Sequence, residues 1–501
     1  MMINKSRLTW IGLLVLVLAA CIKDPGNYDY IDPTEAEPFS LTNWKDTQER
    51  FSTLERLQKT PTLSPGVNEE DYEYVWYLNG KISDTIARTL KLDVQLTQPN
   101  GDYKLIFRAQ NRETGVCVYH TMGVTIESEF ARGWYITKDE NQVTDIDWIN
   151  PEGELFSNVL ASINGEGLKG KAHKTTFMGT GYNYDQHNPD GTVELVKGKR
   201  VLFVMSRSDM RVYNSDDLTL IRNFDEIFVS GSEVAKPQVV AHTATASFAV
   251  NNGRAYSLNV MNAVSYSKFG ADKLGDYHLS DYVIPHLMGS MLAFDEQSSS
   301  FCTIKTAKTI QPFTYTPGHK HNPNNMNCDL LFMQDRSPEL SVTNPGVALL
   351  KNRDKEEYYY AEISIIPFVG FNANLFSKYE VIPNTSELGK GKVFGAHLFS
   401  SALYFSLGDN VLKSFNTGNF SENSNVKTFP EGENISFIGH INDSEVKCLA
   451  VLTNTTDSWH LYCFEFIGQT ADIDLNKCKH YSGKGHAASV FYMNTGVSYI
   501  N

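Results

Sequence analysis

A short pattern recurs from Gly133 onward: an apolar strand, a polar turn, and a second strand that carries aromatic or aliphatic residues. Copies stand about 45 to 70 residues apart, an interval typical of repeat architectures. One small sheet cannot bury both of its faces, whereas a ring of sheets can. The pattern therefore predicts a β-propeller over residues 131–501. The seven turns lie at 136–143, 206–213, 251–258, 294–301, 351–360, 406–415 and 454–462.

An incomplete eighth hairpin, at 491–500, ends the chain. We expect it to join the first hairpin and close the ring. If the two hairpins share one blade, the propeller has seven blades, and if they do not, it has eight.

Residues 31–130 carry a different strand pattern, with short runs at the spacing of a β-sandwich. Trp76 lies in the middle of one run, which ends at an Asn79-Gly80 turn. Tyr103 follows a glycine near the start of another run, where immunoglobulin-like sandwiches place a corner tyrosine. We therefore expect an all-β chain with an immunoglobulin-like sandwich before the propeller.

The N-terminus resembles a bacterial lipoprotein signal. Lys5 and Arg7 precede an apolar stretch, 8–20, that is too short to cross a bilayer core, which needs about 20 apolar residues. Leu18-Ala19-Ala20-Cys21 resembles a lipobox, in which the chain is cut before the cysteine and its thiol is lipidated. The alternative is an ordinary signal peptide in which Cys21 is incidental.

After Cys21, residues 21–30 lack apolar periodicity and are rich in Asp, Pro and Gly, which predicts a flexible tether. Lys23-Asp24 resembles in part the charged signal that sends lipoproteins to the outer face of the outer membrane. We expect a lipid-anchored outer-membrane protein that faces the cell exterior, and the periplasmic face remains the alternative.

The net charge of the chain restricts the classes of partner that it can bind. The 58 acidic residues outnumber the 44 basic ones, for a net charge of −14, which argues against nucleic acid as a partner.

The cysteines of an exported chain can form disulfides, because the chain passes through an oxidising compartment. A hairpin turning at 454–457 would place Cys448 opposite Cys463, so the two form a possible disulfide, with two buried thiols as the alternative.

Four segments carry a family resemblance: "CIKDPGNYDY", "YEYVWYLNGK", "GDYKLIFRAQN" and "RGWYITKDENQ". Together they resemble the PKD-like family lipoproteins of Bacteroidota. The resemblance implies a PKD-like sandwich followed by a propeller-like region. It also implies partnership with a SusC-like TonB-dependent receptor and its SusD-like lid, which import oligosaccharides or peptides. The family has no catalytic signature, so no active-site residue carries over.

Aromatic residues make up 12% of the chain, and sugars and peptides pack against exposed aromatic faces. The alternative for each candidate is a place in the core between blades. The candidate ligand contacts are Trp148, Tyr182, Tyr184, Tyr359 and Trp459.

Metal and catalytic signals are weak. His319, His321, Cys328 and Asp329 form a cluster, but its Asn- and Pro-rich surroundings favour an exposed loop between blades over a metal site. The acids of the seven turns should face solvent as solubilising charges. We expect neither a bound metal nor a cofactor.

The leading hypothesis is a non-catalytic accessory that binds ligand or scaffolds a nutrient-uptake complex. A propeller hydrolase that acts on a glycan or peptide before import is the runner-up. A structural partner without a ligand is the third possibility.

Overall fold

The computed structural model describes residues 39–40, 48–52, 56–79, 84–96, 98, 101–188, 190–231, 233–259, 267–287, 289–313, 315, 321–337, 344–365, 375–494 and 497–501. The signal peptide, Cys21 and the tether predicted above lie outside these residues. The chain divides into two compact units, one ending at Glu127 and the other beginning at Ser128. The sequence analysis had placed this boundary between residues 130 and 131.

The first unit is built of nine described strands. Its main sheet has five strands in the order β2-β9-β8-β5-β6, and two smaller sheets pair β3 with β7 and β1 with β4. The strands are β1 (Phe39–Ser40), β2 (Glu49–Ser52), β3 (Arg56–Lys59), β4 (Thr62–Leu63), β5 (Tyr72–Leu78), β6 (Thr85–Ala87), β7 (Leu92–Gln95), β8 (Gly101–Asn111) and β9 (Cys117–Glu127). A 3-10 turn, Glu69–Asp71, leads into β5.

Trp76 lies at the centre of this unit, as the sequence predicts. It is buried, its ring centroid is 4.6 Å from that of Phe107, and its indole nitrogen donates to the carbonyl of Thr89 at 2.8 Å. Leu57 of β3 and Leu92 of β7 belong to the same apolar cluster. The five-stranded sheet and the β3-β7 pair thus form the two layers of a sandwich.

The second unit contains seven described sheets, which we number as blades 1 to 7. Blade 1 contains β10 (Gly133–Glu140), β11 (Val143–Ile149), β12 (Leu155–Phe156) and β13 (Leu168–Lys169). Blade 2 contains β14 (Ala172–His187), β15 (Val193–Ser206), β16 (Met210–Asn214) and β17 (Leu220–Arg222). Blade 3 contains β18 (Pro237–His242), β19 (Ala246–Asn251) and β20 (Arg254–Asn259).

The remaining blades follow in chain order. Blade 4 contains β21 (Leu279–His286), β22 (Ser290–Asp295), β23 (Ser300–Ile304) and β24 (Gln311–Pro312). Blade 5 contains β25 (Cys328–Asp335), β26 (Asn344–Asn352), β27 (Tyr358–Ile365) and β28 (Phe376–Val381). Blade 6 contains β29 (Val393–Ala396), β30 (Ala402–Ser406), β31 (Val411–Asn416) and β32 (Glu422–Thr428). Blade 7 contains β33 (Asn434–Asn442), β34 (Lys447–Asn454), β35 (Ser458–Phe466) and β36 (Ile473–Lys484).

The last two strands close the ring. β37 (His486–Met493) pairs with β10 and becomes the innermost strand of blade 1, and β38 (Tyr499–Ile500) pairs with β14 in blade 2. The predicted last hairpin, 491–500, is therefore not a hairpin, because its two strands join different blades. β37 shares blade 1 with the first hairpin, as expected, and the propeller has seven blades. Its innermost strands neighbour one another in a closed order: β37, β14, β18, β21, β25, β29 and β33.

Seven apolar clusters hold the ring together, one between each pair of neighbouring blades. Each blade buries both faces in this way, which is why the small sheets are stable only as a ring. Helices are few among the described residues of the second unit: α1 (Val159–Asn164), α2 (Phe224–Ile227) and 3-10 turns at Glu129–Ala131 and Leu388–Lys390. No helix in the described part of the chain is long and apolar enough to cross a membrane.

Candidate functional site

The seven hairpins found in the sequence are the second and third strands of the seven blades. Because every blade is an antiparallel meander that starts at the centre, these turns lie at one end of the ring, which we call the hairpin face. The turns occupy residues 140–143, 206–210, 251–254, 295–300, 352–358, 406–411 and 454–458.

Polar residues at the ends of second strands tie this face together. In four blades such a side chain accepts a hydrogen bond, each of 2.9 Å, from the backbone N–H of a residue at or next to the start of an innermost strand. The pairs are Asp139 with Ala172, Asn251 with Lys236, Asp295 with His278, and Asn454 with Ala487. The carboxylates and amides therefore fix the hairpins to the inner ring.

This arrangement corrects one prediction. Asp139 and Asp295 are buried hydrogen-bond acceptors, so they are not the solubilising charges that the sequence analysis expected. The prediction fails because a turn acid can satisfy the backbone of an adjacent strand, which a single hairpin sequence cannot reveal. Glu296 and Asp457 are exposed, as predicted.

A charged cluster lies on the hairpin face of blades 2 to 5. We call it the rim cluster, and its members are Arg207, Asp281, Glu296, Asp329 and Arg353. Arg207 donates to Asp281 at 2.7 Å, and Arg353 donates to Asp329 at 2.7 Å and to the carbonyl of Glu296 at 2.5 Å. The charged ends of both pairs are partly exposed, so they can also form hydrogen bonds to a ligand.

Glu296 differs from the other two acids of the rim cluster. Although it is exposed, desolvation by the surrounding protein raises the pKa of its carboxyl group, and the charges of Asp281 and Asp329 raise it further. Arg353 and His278 lower the pKa, but the net direction is upward. The carboxyl group of Glu296 therefore takes up a proton more readily than that of an isolated glutamate.

Gln238 links the rim cluster to the inner ring. Its side-chain nitrogen donates to Asp281 at 3.0 Å and to the carbonyl of Leu279 at 2.9 Å. The backbone carbonyl of Gln238 accepts a hydrogen bond from the ring of His173, at the start of β14. These bonds hold Asp281 in place from behind while Arg207 contacts it from solvent.

Lys174 is a further polar residue of an innermost strand. Burial lowers the pKa of its ammonium group to about 8. Its positive charge in turn contributes to the low pKa of His173 and His242, which is caused mainly by burial. Both imidazoles are therefore neutral at pH 7.

Three of the predicted ligand contacts are core residues, which corrects those predictions. Trp148, Tyr182 and Trp459 are all buried between blades. The indoles of Trp148 and Trp459 donate to the carbonyl of Arg132 and to Asp147, at 3.0 and 2.9 Å. Each of these side chains is buried by a neighbouring blade whose residues are distant in the sequence. Its exposure could therefore not be predicted from the local sequence.

Tyr184 and Tyr359 are half-buried and keep part of their surface exposed. Tyr359 stacks on Tyr379 with ring centroids 5.1 Å apart, and its hydroxyl donates to Glu357 at 2.8 Å. His321 packs on Tyr379 at 4.6 Å. This aromatic group belongs to blade 5 and the segment that precedes it.

The possible disulfide does not form, because both Cys448 and Cys463 are free, buried thiols. The hairpin turns at 455–458, one residue later than predicted, and Cys463 therefore lies opposite Ala450. Moving the centre of a hairpin by one residue changes the register by two. The thiols are diagonal neighbours rather than a directly opposed pair.

The structure describes the cluster around His319 only in part. His319 lies outside the described residues, while Cys328 and Asp329 begin β25, where Cys328 is buried and Asp329 contacts Arg353. The segment is therefore partly an inner strand rather than a loop. Within the described ranges, no group of three or more His, Cys, Asp or Glu side chains is placed to hold a metal ion.

Comparison with known proteins supports the assignment of the N-terminal part. Residues 21–172 match the PKD-like family. The match covers the sandwich segment and continues through the strands β10 to β13 of blade 1. No curated protein is similar to this chain in sequence.

Solved structures with a similar chain path share little sequence identity with this chain. A quinoprotein alcohol dehydrogenase-like protein from Bacteroides thetaiotaomicron is 13% identical, with 91% of this chain and 99% of that chain covered and a TM-score of 0.41. The dihydro-heme d1 dehydrogenase NirN is 9% identical, with coverages of 74% and 76% and a TM-score of 0.37. The seven-bladed architecture described above rests on the sheets and clusters of this chain itself.

Neither the rim cluster nor the role of the polar residues that end the second strands was predicted from the sequence. The second feature has a visible signal, because the second strands of blades 2 to 7 end in Ser, Asn or Asp. The rim cluster has none, since its five members come from three blades (2, 4 and 5) that meet only in the folded ring.

Proposed function

We propose that this chain is a lipid-anchored, surface-exposed accessory of a SusC/SusD-type uptake system, in which the propeller binds an oligosaccharide or peptide. The rim cluster is the observation that carries the binding role. Arg207 and Arg353 present planar donors, and three carboxylates beside them present acceptors. Hydroxyl-rich sugars and peptide backbones need both kinds of group at close spacing.

The proposed location of the protein at the outer membrane rests on features of its sequence. The lipobox-like segment ending at Cys21 supports a lipid anchor, and the match of residues 21–172 to the PKD-like family supports the family resemblance noted above. In this proposal the sandwich unit is a spacer and the propeller carries the interaction face.

Co-purification in mild detergent from the native outer membrane tests the proposal, with mass spectrometry as the readout. A receptor and lid recovered in near-equal amounts with this chain would support it, and a chain recovered alone would contradict it. A Cys21→Ser variant is the matched control for anchoring, because it should leave the membrane fraction without changing the propeller.

A propeller hydrolase is the second candidate, and Glu296 is the observation that favours it. A carboxyl group whose pKa is raised by desolvation can act as a general acid, and the neighbouring Asp281 and Asp329 raise the pKa of Glu296 further. Incubation of the purified chain with the glycans or peptides that the receptor imports tests this role. If the native chain forms product and Glu296→Gln does not, hydrolysis that depends on Glu296 is established. Equal amounts of product with both proteins would exclude Glu296 as the general acid.

A further inference from the structure

Two histidines face each other on the outer strands of blade 7, away from the rim cluster. His460 lies on β35 and His480 on β36, where His480 is opposite Tyr462, so the two imidazoles are diagonal neighbours. Nδ1 of His460 lies 3.2 Å from Nε2 of His480, and the ring planes differ by 9°. Two ring nitrogens therefore point at each other.

The surroundings of His460 determine which of its nitrogens carries the proton. Nε2 lies 3.2 Å from the hydroxyl of Ser458 and 4.0 Å from a carboxylate oxygen of Glu433. A negative charge beside Nε2 favours the tautomer with the proton on that nitrogen. The lone pair of Nδ1 is then directed at His480.

Glu433 is held firmly in this position. It is buried, and its carboxylate accepts hydrogen bonds from Thr453 at 2.5 Å and from the hydroxyl of Tyr462 at 3.1 Å. At 4.0 Å from Nε2 of His460, the Glu433 carboxylate acts through its negative charge rather than through a hydrogen bond, and this charge makes the free nitrogen of the ring a stronger ligand.

His480 is the solvent-exposed member of the pair. Its side chain is exposed, and its ring stacks on Tyr462 with centroids 4.5 Å apart, which limits its rotation. A metal ion binds an imidazole in its neutral form.

We propose that His460 Nδ1 and His480 Nε2 together bind one divalent transition-metal ion, such as Zn²⁺, whose remaining ligands are water. Zinc–nitrogen bonds of about 2.0 to 2.1 Å in tetrahedral geometry place two ligand nitrogens roughly 3.3 Å apart, close to the separation found here. To bind, His480 moves its proton from Nε2 to Nδ1, so no net proton is released. The role is independent of the proposed uptake function.

Titration calorimetry of the full chain with zinc chloride tests the proposal, using protein purified without a histidine tag. We expect one zinc ion per chain, and at least about tenfold weaker binding in His460→Gln and in His480→Gln. His187→Gln is the control, because His187 is exposed on the distant β14–β15 hairpin, and it should bind zinc as the native chain does. Circular dichroism would verify that each variant is folded.

Two results would overturn the proposal: no heat of binding with zinc up to millimolar concentration, or unchanged affinity in both variants. A second readout uses copper(II), whose electron paramagnetic resonance spectrum should show two imidazole nitrogens in the native chain and one in His480→Gln. Glu433→Gln should weaken zinc binding about tenfold while both ligands remain, which separates support of the ring from direct ligation.

Discussion

Asp147 of blade 1 accepts a hydrogen bond of 2.9 Å from the indole of Trp459 of blade 7, two residues that are 312 positions apart. Both side chains are buried, and the bond lies where the last blade meets the first. Lys138 lies 3.6 Å from the same carboxylate. The closure of the ring therefore includes a buried polar contact as well as apolar packing and the pairing of β37 with β10.

Loss of this contact should weaken the closure. Trp459→Phe removes the donor and leaves the Asp147 carboxylate with one partner fewer, which should cost about 2 kcal/mol of unfolding free energy beyond the packing loss. Urea denaturation measures the change. Trp134→Phe is the matched control, because Trp134 belongs to the same cluster and packs on Tyr492. Equal losses in the two variants would show that the hydrogen bond contributes little.

Close approach of the inner strands predicts a strict need for glycine at position 395. A Cβ atom there would lie 2.5 Å from the carbonyl oxygen of Ile438 in the next blade. Gly395→Ala should therefore force blades 6 and 7 apart and lower the unfolding free energy by about 1 to 3 kcal/mol. Gly270→Ala, whose Cβ would have its nearest neighbour at 3.8 Å, serves as the control in the same denaturation series. A neutral Gly395→Ala would contradict the described spacing.

Stability should fall in mild acid because of His397. Burial, aided by the charge of Arg336, lowers the pKa of His397 from 6.5 to about 4. Between these values the unfolded chain binds a proton that the folded chain does not, so stability decreases as the pH falls through this window. One such group contributes about 1.4 kcal/mol per pH unit, or about 3 kcal/mol in all.

His397→Asn tests this linkage. Nδ1 of His397 accepts the N–H groups of Phe399 and Ser400, and the amide oxygen of asparagine can replace it as an acceptor. Urea midpoints at pH 7 and pH 4.5 should differ less in His397→Asn than in the native chain. His187→Gln, at an exposed site, should keep the native difference. An unchanged difference in His397→Asn would assign the acid sensitivity to other groups.

The thiols of Cys448 and Cys463 should remain reduced. Because both are buried, they should resist iodoacetamide in the folded chain and react fully after denaturation without a reductant. Peptide mass spectrometry identifies the alkylated residues directly. A peptide that joins the two cysteines would show that the hairpin has the register first expected from the sequence.

Much of the fold could be predicted because it is encoded locally. Alternating strands and polar turns indicate all seven second hairpins, and the Trp76 strand indicates the sandwich core. The closure by β37 follows from strand-forming sequence left over at the end of the chain, although β37 and β38 join different blades instead of forming the expected hairpin.

The candidate sites could not be predicted, because they form between distant segments. Arg207 and Asp281 come from different blades, and Trp459 is buried by a blade more than 300 residues earlier in the chain. Even within one hairpin, a one-residue error in the turn misplaced Cys463. Exposure and register depend on tertiary neighbours that a single sequence does not specify.

The proposed function is tested most directly by the amount of receptor and lid that co-purify with rim variants in the native outer membrane. We expect Arg207→Gln combined with Arg353→Gln to reduce the amount of imported ligand, receptor or lid that co-purifies at least about tenfold. The unfolding free energy of this double variant should change by less than about 1 kcal/mol. Lys477→Gln, which removes an exposed ion pair with Glu465 on blade 7, should behave as the native chain does. Equal recovery of receptor, lid and ligand with all three proteins would contradict a binding role for the rim cluster.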